Sequence, residues 1–178
     1  MKYFKSSLWS AINSGDPEVQ KRADAEWKVN DQQYWTEYLK LEGRLGKELY
    51  EFFHTFSFHD YDLKEYKLVQ SEVHDDKVVD LYITVTGVQD EWTLVYNHIS
   101  RIGITMDPPD LLDHRGFDDW GYDELLIVDE KTLSHEILFA SGAYFSSIFP
   151  IKTSPLGRIN VFFLMGSIGI SYFHLDVL

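Results

Sequence analysis

The chain has 178 residues, of which 44% are hydrophobic and 16% aromatic, enough apolar material for one packed core and too little chain for two full domains. Its 16 Lys and Arg stand against 29 Asp and Glu, a net charge of -13. A field of that sign repels nucleic-acid phosphates and anionic lipid and attracts cations and basic protein surfaces. With no Cys, disulfides, thiolate zinc sites and thiol nucleophiles are excluded, which suits a cytoplasmic protein.

The opening MKYFKSSLWSAINSGD has lysines but neither an unbroken apolar run nor a small-residue cleavage site, so no signal peptide is expected. A helix start follows, with Asp16 as N-cap, Pro17 at the first helical position and Glu18 in the first turn. Trp27, Tyr34, Tyr38, Leu41, Leu45, Leu49 and Phe52 then recur at spacings of seven, four, three, four, four and three, one face of a helix. A break is expected near Val29 and Asn30 with a restart at Asp31, and Gly43 and Gly46 weaken the later half. Two or three helices ending near Phe53 are predicted.

From about Glu65 the period becomes two. Val79, Leu81, Ile83 and Val85 alternate with polar or amphipathic neighbours, the pattern of a half-buried antiparallel strand. The stretch EYKLVQSEV before it, joined by HDDK, completes a hairpin. A long third strand is predicted from Trp92 to Met106, then a loop from Asp107 to Gly121. Strands at Tyr122–Val128, Leu133–Ala140 and Ala143–Ile151 follow, with further strands at 158–164 and 168–174. The uncharged stretch Ile159–Phe173 is too short, and too rich in Gly and polar residues, for a membrane span, and reads as a buried hairpin. The prediction is an α+β protein of one domain over 1–178, with a helical segment at 1–55 and an antiparallel β-meander at 62–175.

Several catalytic templates fail on spacing. LEGRLGKEL has two residues between its glycines where a phosphate loop needs four, and Glu48 where a hydroxyl is required. SHEILF lacks the second His of a zinc-protease helix, and its alternation makes His135 a hydrogen-bonded core residue of a strand. No Gly-x-Ser-x-Gly elbow is present.

Two stretches remain. In FSFHDYD, His59 and Asp60 suggest the His-Asp pair of metal-dependent phosphohydrolases. If residues 58–62 are extended, however, Asp60 and Asp62 share one face and His59 points away. A metal set of His59, Asp60, Asp62 and His74 is the weak form of this reading. The structural alternative is a corner in which the His meets the last helix carbonyls and the Asp residues hold a turn. The acidic loop offers Asp107, Asp110, Asp113, Asp118 and Asp119 beside Arg115, Phe117 and Trp120. Its spacing does not match a calcium loop, and it reads as a partner-binding surface. The alternative is a solvated loop whose aromatics tuck against the sheet.

The opening MKYF, the helix end running into FSFHDYDL, and GYDEL followed by LSHEILFASGA resemble a family of small acidic bacterial proteins of unknown function. In that family an aliphatic-His-Asp element follows the helices and leads into a β-meander. The likeness covers roughly residues 1–143, with Phe58 standing where Leu is expected. It ends after Gly142, where the family pattern has a charged alternating strand. The resemblance implies the fold and brings no catalytic residues.

These readings point to a non-enzymatic, cofactor-free cytoplasmic protein that binds a basic protein as an immunity-type or regulatory partner. Neither nucleic acid nor membrane is an expected partner, and a free sheet edge allows a homodimer. A metal-dependent hydrolase built on the His59 segment and a carbohydrate-binding module using exposed rings are the alternatives.

Overall fold

The computed structural model describes residues 1–106 and 116–151 and the backbone of 159–164. Helices α1 (Ser6–Ile12), α2 (Pro17–Tyr38) and α3 (Lys47–Thr55) come first, with a 3-10 turn at Leu39–Leu41. Eight strands follow: β1 (Asp62–Val73), β2 (Asp76–Thr86), β3 (Glu91–Tyr96), β4 (Arg101–Thr105), β5 (Trp120–Ile127), β6 (Thr132–Phe139), β7 (Tyr144–Pro150) and β8 (Ile159–Leu164). The fold is α+β, a helical segment followed by antiparallel sheets.

The expected cap is in place. The Asp16 carboxylate accepts from the Glu18 and Val19 amides at 2.9 and 3.2 Å, satisfying donors that have no intrahelical partner. The expected break at Val29–Asn30 does not occur, and α2 runs unbroken for 22 residues. Asn30 sends its side-chain amide to the Tyr3 carbonyl at 3.0 Å, so it does not compete for its own backbone. The real interruption is at Gly43, whose φ of 76° ends the helical path. One continuous apolar stripe is therefore delivered by three pieces, from which Tyr34, Tyr38, Leu41, Leu45 and Leu49 are buried.

The strands divide between two sheets, in the orders β1-β2-β3-β8 and β4-β7-β6-β5. The predicted single strand from Trp92 to Met106 is two strands, one in each sheet. His98 takes a left-handed φ of 54°, and its amide donates to the Asp80 carboxylate at 2.8 Å. The next two amides diverge: Ile99 donates to Val79 of β2 and Ser100 to Ile148 of β7, both at 2.8 Å. The chain thus passes from one sheet to the other within two residues. The two sheets meet through their apolar faces, where Tyr96 of β3 lies 5.4 Å from Phe149 of β7. Leu81, Ile83, Leu94, Trp120, Leu125 and Phe139 are all at most 1% exposed in this core. A strand predicted at 168–174, and with it the second arm of the hairpin expected from Ile159 to Phe173, lies outside the described residues.

Residues 2–4 are held by one carboxylate. Glu124, fully buried, accepts from the amides of Lys2, Tyr3 and Phe4 at 2.8, 2.7 and 2.6 Å. It stands directly opposite Glu136 on β6, a like-charge pairing that costs stability unless each carboxylate has its own partners. Glu136 has the Met1 amine at 2.5 Å.

Candidate functional site

FSFHDYD forms a corner that ties the end of α3 to the start of β5. Phe58 is 1% exposed and packs on Trp120 with ring centroids 5.2 Å apart. That anchor fixes the chain, and a tight turn follows in which the Tyr61 amide donates to the Phe58 carbonyl at 2.9 Å and Asp60 adopts a φ of 66°. The Asp60 amide donates to the Trp120 carbonyl, and the Trp120 amide returns to Tyr61. Residues 58–62 are therefore not extended, and the expected separation of His59 from Asp60 is overturned. Their Nε2 and Oδ1 atoms lie 3.6 Å apart. The physical reason is the left-handed residue, which folds neighbouring side chains toward each other instead of alternating them.

His59 is oriented by the sheet. Its Nδ1–H donates to the Gly121 carbonyl at 2.6 Å, which leaves Nε2 to face Asp60. Gly121 is required here, because a Cβ at this position would stand 2.9 Å from the Leu138 carbonyl oxygen. Asp62 meets Asp119 across an isolated antiparallel bridge. A hydrogen bond between these two carboxyls raises the pKa of Asp119, with desolvation and the charges of Asp62, Asp118 and Asp60 acting in the same direction. Four carboxylates thus converge on one exposed corner beside an imidazole.

His74 lies elsewhere. It occupies the turn between β1 and β2 with a φ of 51°, one 12-residue strand away from Asp62, or about 40 Å at the rise of an extended strand. The set His59, Asp60, Asp62 and His74 does not come together. Among the described residues no three His, Asp or Glu side chains are grouped to hold a metal ion.

Of the acidic-loop residues, Asp107, Asp110, Asp113 and Arg115 lie outside the described residues. Phe117 is half-buried and tucks against Phe139 at 5.1 Å and Tyr66 at 5.8 Å. Trp120, expected on a partner-binding surface, is 0% exposed and belongs to β5. Its indole N–H donates to Asp123 at 3.1 Å, so its polar end is satisfied internally. Asp118 and Asp119 are the described members of that loop at the surface.

A second polar group, missed by motif reasoning, crosses the core. The Tyr96 hydroxyl and His135 Nδ1 are 2.6 Å apart, and His135 Nε2 and Asp123 Oδ2 are 2.9 Å apart. A carboxylate only accepts, so Nε2 carries the ring proton and Nδ1 accepts from Tyr96. Burial, with the Asp123 charge adding to it, pushes the Tyr96 pKa well up and keeps that proton on oxygen. His135 is fully buried, as its place on an apolar strand face predicts. The chain Tyr96–His135–Asp123 joins β3 to β6 and β5 and so bridges the two sheets; Tyr96 and His135 are both at 0% exposure, and only the Asp123 end reaches toward the surface.

Comparison with protein-family models, with curated proteins and with solved structures finds no match to this chain. Among the described residues no helix is long and apolar enough to cross a membrane.

Proposed function

We propose that this protein acts by binding a basic protein partner at the acidic corner, in the manner of an immunity-type or regulatory protein. The observation that carries this reading is the crowding of Asp60, Asp62, Asp118 and Asp119, tight enough that Asp119 resists ionisation. Like charges held together by backbone geometry cost stability, and sites with such perturbed groups are enriched in function. A Lys or Arg from a partner relieves the repulsion and adds charge-assisted hydrogen bonds to the carboxylates. The net charge of -13 steers a basic partner toward the protein at long range.

The experiment is titration with a panel of basic proteins at low and at physiological salt. Association is expected at low salt, weakening as salt screens the field. The variant Asp60→Asn with Asp62→Asn should weaken it further, whereas Asp75→Asn with Asp76→Asn, at the remote hairpin turn, removes the same charge and should weaken it less. Absence of binding at low salt, or equal loss from both double variants, rejects the corner as the docking site.

A further inference from the structure

We propose that protonation of His59 switches the acidic corner off as a docking site: the imidazolium takes Asp60 for itself, and a basic partner is released as the pH falls. The inference rests on the docking reading above and adds its regulation.

The imidazole is held in one tautomer. Nδ1 lies 2.6 Å from the Gly121 carbonyl oxygen, and a carbonyl only accepts, so Nδ1 keeps its proton in both charge states. Neutral His59 therefore turns the lone pair of Nε2 toward Asp60 Oδ1, 3.6 Å away. Two acceptors face each other there, outside hydrogen-bond range. A proton on Nε2 supplies the missing donor and converts the contact into a charge-assisted hydrogen bond. The ring need not turn, because its bond to Gly121 is unchanged, and the Asp60 side chain, 80% exposed, can swing in to close the gap. With the His59 side chain 43% exposed, the proton arrives from solvent without any opening of the fold. His135, fully buried, has no such access.

The surrounding groups set the direction of the effect. Asp60 stands on the same turn, Asp62 and Asp119 meet at the adjacent bridge, and the charge of Asp118 reaches the same place. From β5 the Tyr122 ring lies beside the imidazole with centroids 5.2 Å apart. Burial and the Asp60 charge push the Tyr122 pKa up, so its hydroxyl stays neutral. These charged neighbours are all anions. Among the described residues His59 is the one basic side chain in ion-pair reach of Asp60. Imidazole is also the side chain that changes charge between about pH 8 and pH 5. Its proton places a cation inside the corner, where it competes with a partner's Lys or Arg for the same carboxylate. The competition is reciprocal, so a docking cation expels the proton just as the proton expels the cation.

An octa-arginine peptide with blocked ends is a suitable probe, since guanidinium stays charged throughout this range. Its affinity would be measured by titration calorimetry at low salt, at pH 8 and pH 5.5, with circular dichroism to verify folding. Wild type and His74→Asn, which loses an imidazole at the remote hairpin turn, should weaken alike on acidification. His59→Gln should weaken less, by about threefold, the scale of one exposed ion pair. Asp60→Asn removes the other half of the contact and should reduce the pH dependence in the same way. Near pH 6.5, calorimetry in two buffers of different ionisation enthalpy should show the wild type releasing more protons on binding than His59→Gln does. An equal pH dependence in wild type, His59→Gln and Asp60→Asn, or proton release that His59→Gln leaves unchanged, overturns the switch while the docking reading stands. No binding of the peptide at pH 8 rejects the docking reading, and the switch with it.

Discussion

Glu124 shows how much one side chain can decide. It is a charged group at 0% exposure, tolerated because three successive backbone amides converge on it. Hydrogen bonds to a charged group contribute more than neutral ones, and removing the acceptor leaves the donors buried without a partner. Glu124→Ala should therefore lower unfolding stability by about 3 kcal/mol or more, with Glu124→Gln less damaging because one amide oxygen still accepts. Urea denaturation of both variants would measure this, and equal stability of Glu124→Ala and the wild type would contradict it. Nothing in the local pattern of GYDEL marks Glu124 as buried. Its partners are more than a hundred residues away in the sequence, and a long-range partner leaves no periodic trace. His135 was easier, since Leu133, His135, Ile137 and Phe139 alternate on one strand face and place the imidazole inside.

Elements built from local rules are legible, and those set by tertiary contacts are not. The start of α2 follows from Asp16, Pro17 and Glu18 alone, because a cap needs only its own next few amides. Asp16→Ala should cost about 1 kcal/mol, read as a lower melting temperature, and Asp16→Asn should recover most of it. The run from Trp92 to Met106, by contrast, keeps strand-like composition throughout and carries no Gly or Pro at the break. What divides it is a donor sent to Asp80 at His98 and another sent to Ile148 at Ser100, neither visible until the sheets exist. FSFHDYD stands between these cases. Its role as a corner follows from the change of period on either side, while the left-handed Asp60 that brings His59 and Asp60 together depends on Trp120 gripping the turn from across the fold.

For the molecule as a whole, the acidic corner is also a seam, because Asp62 opens the first sheet and Asp119 stands at the head of the second. The pKa of Asp119 is raised in the folded state, so the native chain holds that proton more tightly than the unfolded one does. The corner then costs nothing below the ordinary carboxylate range. Its cost grows as pH rises from the unfolded value to the raised one, and stays constant above. Asp119→Asn should accordingly be more stable than the wild type at neutral pH, by up to about 1 kcal/mol for an exposed like-charge contact. The advantage should shrink as pH falls through the carboxylate range. Melting curves from pH 3 to pH 8 would detect this, and a gap between the two proteins that does not change with pH would refute it.

The pairing of β3 with β8 has a consequence in time. Residues 91–96 take their second neighbour from residues 159–164, after the whole of the other sheet has been made. On a ribosome, which adds roughly 5–20 residues each second, the hairpin of β1 and β2 and the strand β3 emerge seconds before β8 exists. During that interval the far side of β3, with Leu94 and Val95, is an open strand edge. The nascent chain is most exposed to misassembly there, and a chaperone that shields strand edges would act on this protein before its last described strand has been synthesised.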